Sequence, residues 1–408
     1  MIRIVRDRWE AHSIATHSNL YPQDGFGRRI WRQGSFALVI ILRNLAPFSQ
    51  RAMAVKSIGL LGTLLALILI PSTALAGGKL RQMSFNRHNR RLAGQIVDYT
   101  HNHGEDRRIW SNALGEPRDL YVYLPPGFDP SQKYPAMLWL HGFMQDEQSF
   151  LWNEVVDNLD HAIAQGQLPP VIVAIPDGSL SGRPQLLSPS SFFINSNLGN
   201  FEDFIVQDVW GFLQENYPIR PEREAHVLAG VSMGGFAAFN LAMKHAETFK
   251  VAVGVFPPLN LRWVDCHCNY RGKFDPDCWG WRMSADRGRE VIGKFYFGLV
   301  KIRLRHVLDD LFDPDDIIES LSRENPIEII DRLGIKEGLL SMYVAYAGKD
   351  EYNIDSQVES FLYRAQERGL TVGVGYLPRG HHNMVTAQRL FPGIVEWLGP
   401  QLEPYRPK

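Results

Sequence analysis

Short runs made almost wholly of apolar residues alternate along this chain with stretches where apolar residues recur every three or four positions. Ala136–Leu140, Val171–Ile175, the run ending at Ala229, Val251–Val255 and Leu340–Tyr346 are of the first kind. Such runs predict strands covered on both faces. Phe201–Tyr217, Phe236–Met243, Gln357–Arg368 and a stretch around Arg389–Leu398 carry the helical period. Gly94–Thr100, Arg108–Ser111, the alternating Arg118–Leu124 and Thr371–Tyr376 complete the predicted strands, and Pro125-Pro-Gly-Phe-Asp-Pro130 breaks the third of them. Apolar strands alternating with helices predict an α/β fold, a mostly parallel central sheet with helices on both faces.

Two intervals depart from this rhythm. The stretch between Val255 and Leu340 is far longer than the few residues usual for a connection. It is rich in tryptophan and charge, and we read about 258–335 as an insertion or cap over the C-terminal edge of the sheet, where open α/β sheets bind ligands. Within it, Val291 to Phe312 reads as one or two helices. At the other end, residues 1–52 show no clear period and read as a disordered or mis-assigned extension. Met53-Ala-Val-Lys56, the apolar Ile58–Ile70 and Ala74-Leu-Ala76 then follow the three-part plan of a secretory signal peptide. This predicts Met53 as the true start, cleavage after Ala76 and an exported protein, periplasmic or extracellular. The alternative is an uncleaved membrane anchor, for which the apolar core is short of the about 20 residues of a bilayer span. Residues 77–93 read as a linker and 94–400 as the folded domain. The formal net charge of -1 gives no reason to expect nucleic acid as a partner. The oligomeric state is not legible.

The chemistry centres on Ala229-Gly-Val-Ser-Met-Gly-Gly-Phe236. Gly230, Ser232 and Gly234 match G-x-S-x-G between a predicted strand and a predicted helix, a sharp turn that lifts a serine hydroxyl to the end of a sheet. Ser232 is the candidate nucleophile. A serine needs a base and an acid that orients it, in the chain order serine, acid, histidine. Asp350 in the turn Ala347-Gly-Lys-Asp-Glu351 is the expected acid, with Glu351 and then Asp355 as alternatives. His381 in Pro378-Arg-Gly-His-His-Asn383 is the expected base, with His382 as its fallback. Two N–H donors must hold the oxyanion of an acyl-transfer intermediate. Those of Met233, after the nucleophile, and Phe143, after His141-Gly142, are placed for it. No metal or other cofactor is needed for this chemistry.

Several of these segments together resemble a known family. Val122-Tyr-Leu-Pro-Pro-Gly-Phe128, Lys133-Tyr-Pro135, Leu140-His-Gly142, Ile175-Pro-Asp-Gly178, Phe201-Glu-Asp-Phe204 and Gly230-Val-Ser-Met-Gly-Gly235 are similar to the putative-esterase group of α/β-hydrolases. That group holds esterase D, feruloyl esterases, acetyl xylan esterases and the antigen 85 mycolyltransferases. The resemblance covers roughly Gly94–Leu398 and implies the α/β-hydrolase fold, with Ser232 as nucleophile, His381 as histidine and Phe143 and Met233 as oxyanion donors. In the acid loop the family spacing counted from Gly348 lands on Glu351, whereas Asp350 is followed by the expected acid-then-aromatic run. The implied function is an exported serine esterase, acting on acetyl or feruloyl esters of a polysaccharide. An acyltransferase of the same fold, or a silent carbohydrate-binding homologue, is the alternative. All three cysteines, Cys266, Cys268 and Cys278, lie in the insertion, where one disulfide is expected in preference to a metal site. Trp263, Trp279 and Trp281 nearby read equally as a sugar platform or as core.

Overall fold

The computed structural model describes residues 80–152, 154–182, 190–283, 291–295, 300–303, 310–312 and 315–408, all within a unit spanning Gly78–Lys408. The extension 1–52 and the signal-like segment Met53–Ala76 lie outside the described residues. Among the described residues no helix is long and apolar enough to cross a membrane.

Eight strands form the central sheet: β1 Gln95–Tyr99, β2 Leu120–Leu124, β3 Ala136–Leu140, β4 Ile172–Pro176, β5 His226–Val231, β6 Val251–Val255, β7 Ser341–Ala347 and β8 Val372–Leu377. Their spatial order is β1-β2-β4-β3-β5-β6-β7-β8. Strand β2 runs antiparallel to both neighbours, β1 and β4, and every other pairing is parallel. Successive side chains of a strand point to opposite faces, and the core divides accordingly. Val122, Leu138, Ala174, Leu228, Ala252 and Val344 belong to one apolar cluster. Tyr121, Met137, Val173, Val227, Val253 and Ala345, each one residue away in its strand, belong to the other. Both clusters are buried, which is why β3 to β7 read as unbroken apolar runs; β2, which reads as alternating, is buried on both faces as well.

Helices cover the two faces. α1 Val155–Ala164 and the last long helix pack on the second cluster through Val156, Leu159, Leu390 and Ile394. On the first lie α2 Trp210–Asn216, α3 Met233–Lys244, α4 Ile317–Glu324, α5 Pro326–Arg332 and α6 Ile354–Glu367. Every residue of α3 from Met233 to Met243 is buried. It is apolar all round because it lies between the sheet and α5, as such helices must. The closing helix, α7 Met384–Leu402, starts five residues before its predicted beginning. Asn383 caps it by accepting a hydrogen bond from the Thr386 N–H at 3.0 Å.

Two expectations fail. Val291–Phe295 and Val300–Arg303 pair as an antiparallel hairpin, not as helices; β-branched and aromatic residues with a central glycine suit that pairing. Part of the expected linker, residues 80–89, is helical. Its Phe85 is buried and stacks on His103 and Tyr121, and Asn89 bonds both backbone polar groups of Ile96 in β1. Elsewhere in the insertion Trp263–Asp265 pairs with Trp279–Trp281. Cys266 and Cys278 form a disulfide and Cys268 is an exposed free thiol. Trp263 is fully buried, so it belongs to the core, while Trp279 and Trp281 are half-buried and meet edge to face at 5.2 Å.

Candidate active site

Strand β5 hands over to α3 at Ser232, whose backbone takes φ 56° and ψ −116°. A non-glycine residue there is strained, and the surroundings must hold it. They do so through the Ser232 N–H, which donates to the Val255 carbonyl at 2.7 Å, and the Ser232 carbonyl, which accepts from Phe236 N–H at 3.0 Å. The flanking glycines are required by contact: a Cβ on Gly234 would fall on the Leu140 carbonyl, and one on Gly230 on the Gly234 backbone. The predicted turn is thus a sharp strand-to-helix elbow with the hydroxyl at the C-terminal edge of the sheet.

Two loops at that edge bring the acid and the base. His382 Nε2 lies 3.1 Å from Ser232 Oγ, and His382 Nδ1 lies 2.8 Å from Asp350 Oδ2. An ionised carboxylate can only accept, so Nδ1 carries the proton and the Nε2 lone pair faces the serine hydroxyl. The ring is held edge to face by Tyr352 and tilted on Phe256. Asp350 is buried, and its Oδ1 accepts from Tyr352 N–H at 2.8 Å, leaving Oδ2 to the histidine.

This corrects the expected base. His381 points away from the serine, with Nδ1 2.6 Å from Glu351 Oε1, and half of its side chain is exposed. Adjacent residues of an extended loop face opposite ways, so only one of the pair can reach Ser232. Glu351, the alternative acid, instead joins the two loops: it holds His381 and accepts the His382 backbone N–H at 2.9 Å. Asp355 is buried and paired with Lys273 Nζ, away from the histidine. The signal overlooked in the sequence was Asn383-Met-Val-Thr386, a helix-cap pattern that fixes where the loop ends and makes His382 its last residue.

The expected oxyanion donors border the same space. As the first residue of α3, Met233 has an N–H without a partner inside the helix. The loop after β3 presents Phe143 to the same cleft, while the Gly142 N–H is occupied by Gln145 Oε1 at 2.9 Å. His141, fully buried, sets that loop. Gly178 N–H donates to its Nε2 at 2.9 Å, so Nδ1 is the protonated nitrogen and donates to the Gly142 carbonyl at 2.9 Å. Burial lowers the His141 pKa and keeps the ring neutral, as this pattern requires. Behind the loop, Arg118 Nη2 donates to Asp177 Oδ2 at 3.0 Å and to the Asp177 and Ser179 carbonyls. Asp119, Asp146 and Glu147 are buried nearby, and burial raises the pKa of each, that of Asp146 to about 6.

Ser232, His382, Phe143 and Met233 open on a cleft of about 350 Å³. Phe192, Phe236 and Phe256 line it from the main domain, and Leu261, Tyr270, Ile292, Leu311, Phe312 and Leu321 from the insertion. The insertion therefore builds one wall of the site, as expected of a cap. The arrangement can activate a serine hydroxyl beside an apolar binding space.

Sheet order, elbow and chain order of the three side chains define the α/β-hydrolase fold. Residues 111–295 match the family model described as Putative esterase. The chain is 29% identical over 174 residues to an esterase of Mycobacterium tuberculosis, a match covering 41% of this chain and 36% of that protein. A protein of Xylanibacter ruminicola named endo-1,4-beta-xylanase/feruloyl esterase is 25% identical over 156 residues, covering 36% of this chain and 21% of that one. The chain thus matches only a minor part of these relatives' length. Among solved structures, a ferulic acid esterase superposes with a TM-score of 0.55 at 16% identity, covering 76% of this chain and 99% of the other. An S-formylglutathione hydrolase from Agrobacterium tumefaciens superposes at 0.52 with 12% identity, covering 76% and 96%.

Proposed function

We propose that the protein is an exported serine esterase that hydrolyses carboxylic esters through an acyl-enzyme, with Ser232 as nucleophile, His382 as base and Asp350 as the acid that orients it. The observation that carries this is the hydrogen-bonded chain from Asp350 Oδ2 through His382 to Ser232 Oγ at the strained elbow. Oγ attacks the ester carbonyl carbon as its proton passes to His382 Nε2. The oxyanion is held by the Phe143 and Met233 N–H groups. The tetrahedral intermediate collapses when His382 returns the proton to the leaving alcohol, leaving Ser232 acylated; water then enters with His382 again as base.

For the acyl group we propose a feruloyl-type aromatic acid esterified to a polysaccharide. The aromatic and aliphatic lining supports this, as does a volume within the about 300–1,000 Å³ of small-molecule sites, more than an acetyl group fills. The feruloyl esterase named in the Xylanibacter ruminicola relative agrees. Export is supported by the signal-like Met53–Ala76 and by the Cys266–Cys278 disulfide, a bond that persists in oxidising compartments.

The test compares the protein with Ser232→Ala on methyl ferulate and p-nitrophenyl acetate. Loss of at least about 10³-fold in kcat/KM is expected, with methyl ferulate the better substrate. Equal activity in the two proteins would overturn the serine mechanism, and a preference for the acetyl ester would overturn the acyl assignment alone.

A further inference from the structure

The loop that carries Asp350 is held from outside. Three consecutive residues after it, Glu351, Tyr352 and Asn353, are each bonded to the segment closed by the Cys266–Cys278 disulfide. Arg271 Nη1 donates to the Glu351 carbonyl at 2.6 Å, and Tyr270 OH donates to the Tyr352 carbonyl at 2.6 Å. Asn353 Nδ2 donates to the Tyr270 carbonyl at 2.7 Å and to the Gly272 carbonyl at 3.1 Å. Asn353 stands at φ 59°, in the left-handed region that Asn tolerates better than most residues, and its side chain is thereby turned to the Tyr270 and Gly272 carbonyls. The Tyr270 hydroxyl also accepts from Gln357 Nε2 at 3.2 Å, so it is fully used although buried.

These bonds act on the geometry of the acid itself. Asp350 Oδ1 is tied to the N–H of Tyr352, whose carbonyl Tyr270 grips. Moving Tyr352 would rotate the carboxylate and carry Oδ2 away from His382 Nδ1, now 2.8 Å distant. On the other side the Cys266 N–H bonds the Cys278 carbonyl and the Trp263 indole N–H bonds the Tyr270 carbonyl, so the segment is closed at its ends and anchored in the core.

We propose that the disulfide-closed segment Cys266–Cys278 is the brace that positions the acid of the site, with Tyr270 and Arg271 as positioning residues. The inference rests on the serine-esterase reading above. It makes the insertion responsible for the rate of the chemical step as well as for one wall of the cleft.

Tyr270→Phe removes two hydrogen bonds and keeps the ring in the cleft; Arg271→Met removes, from an exposed side chain, the bond to Glu351 together with those to the Val291 and Ile292 carbonyls; Cys266→Ser/Cys278→Ser opens the segment. All three are assayed on p-nitrophenyl acetate against the parent and Ser232→Ala, with intact sites counted by a fluorophosphonate that phosphonylates serine with loss of fluoride. Per intact site, kcat is expected to fall about tenfold in Tyr270→Phe and in the double variant, and about threefold in Arg271→Met. KM should stay within twofold. The acid limb of the kcat/KM profile should move to lower pH, because a carboxylate held less closely favours the imidazolium less. A merely destabilised protein would lose site count and keep the limb in place. Unchanged kcat and limb in Tyr270→Phe and the double variant, with Ser232→Ala inactive, would overturn the brace alone; an active Ser232→Ala would overturn it together with the reading on which it rests.

Discussion

His382 and His381 are identical in chemistry and adjacent in sequence, yet the structure gives them different partners. His382 is enclosed by Phe256, Tyr352, Asp350 and Ser232, whereas His381 is half exposed against Glu351. His382→Ala is therefore expected to lower kcat/KM on p-nitrophenyl acetate by about 10³-fold or more. His381→Ala removes an exposed contact with Glu351 of at most about 1 kcal/mol and should cost no more than about threefold. Equal losses would mean that both rings serve the reaction. Ser232 and Asp350 were legible because their chemistry is bound to local pattern, a glycine-flanked elbow and a turn closing a late strand. Which of two neighbouring histidines faces inward was not, since it depends on the path of a loop between the last strand and α7. Likewise no spacing announces Tyr270, which contacts a loop 82 residues later.

At the scale of elements, the glycines of the elbow and those of ordinary helices make opposite predictions. Gly234→Ala would drive a Cβ into the Leu140 backbone, which cannot yield without moving β3 away from α3. A loss of about 1–3 kcal/mol, or failure to fold, is expected in thermal or urea unfolding. Gly211, inside the helical stretch that contains α2, has open space where its Cβ would lie, so Gly211→Ala should stabilise by about 0.5–1 kcal/mol in the same measurement. The inner strands β3 to β7 were readable almost to the residue because burial on both faces leaves an unbroken apolar run. The hairpin at Val291–Arg303 was not, because a short pair outside the main sheet has no such run and shares its composition with a half-buried helix.

Across the whole molecule, the buried carboxyls behind the oxyanion loop set how stability follows pH. Asp119, Asp146 and Glu147 all keep protons longer in the folded state than in the unfolded chain. Between the unfolded and folded pKa values the native state binds more protons, so stability falls as pH rises. For Asp146 that window runs from 3.8 to about 6 and is worth at most about 3 kcal/mol. Urea unfolding should show a shallower decline over this window, and greater stability at pH 7, in Asp146→Asn; a decline as steep as the parent's would place the effect elsewhere. The disulfide agrees with the proposed export, since the bond Cys266–Cys278 persists where thiols are kept oxidised. The site itself joins Phe143, Ser232, Asp350 and His382, and of its three hydrogen-bonded side chains Ser232 and His382 stand 150 residues apart. Parallel strands and contacts of such separation form late, after loop-closure entropy has been overcome. A refolding chain can thus own its helices and most of its sheet before His382 reaches Ser232, so that under the proposed function recovered turnover would mark the last event of folding and not collapse.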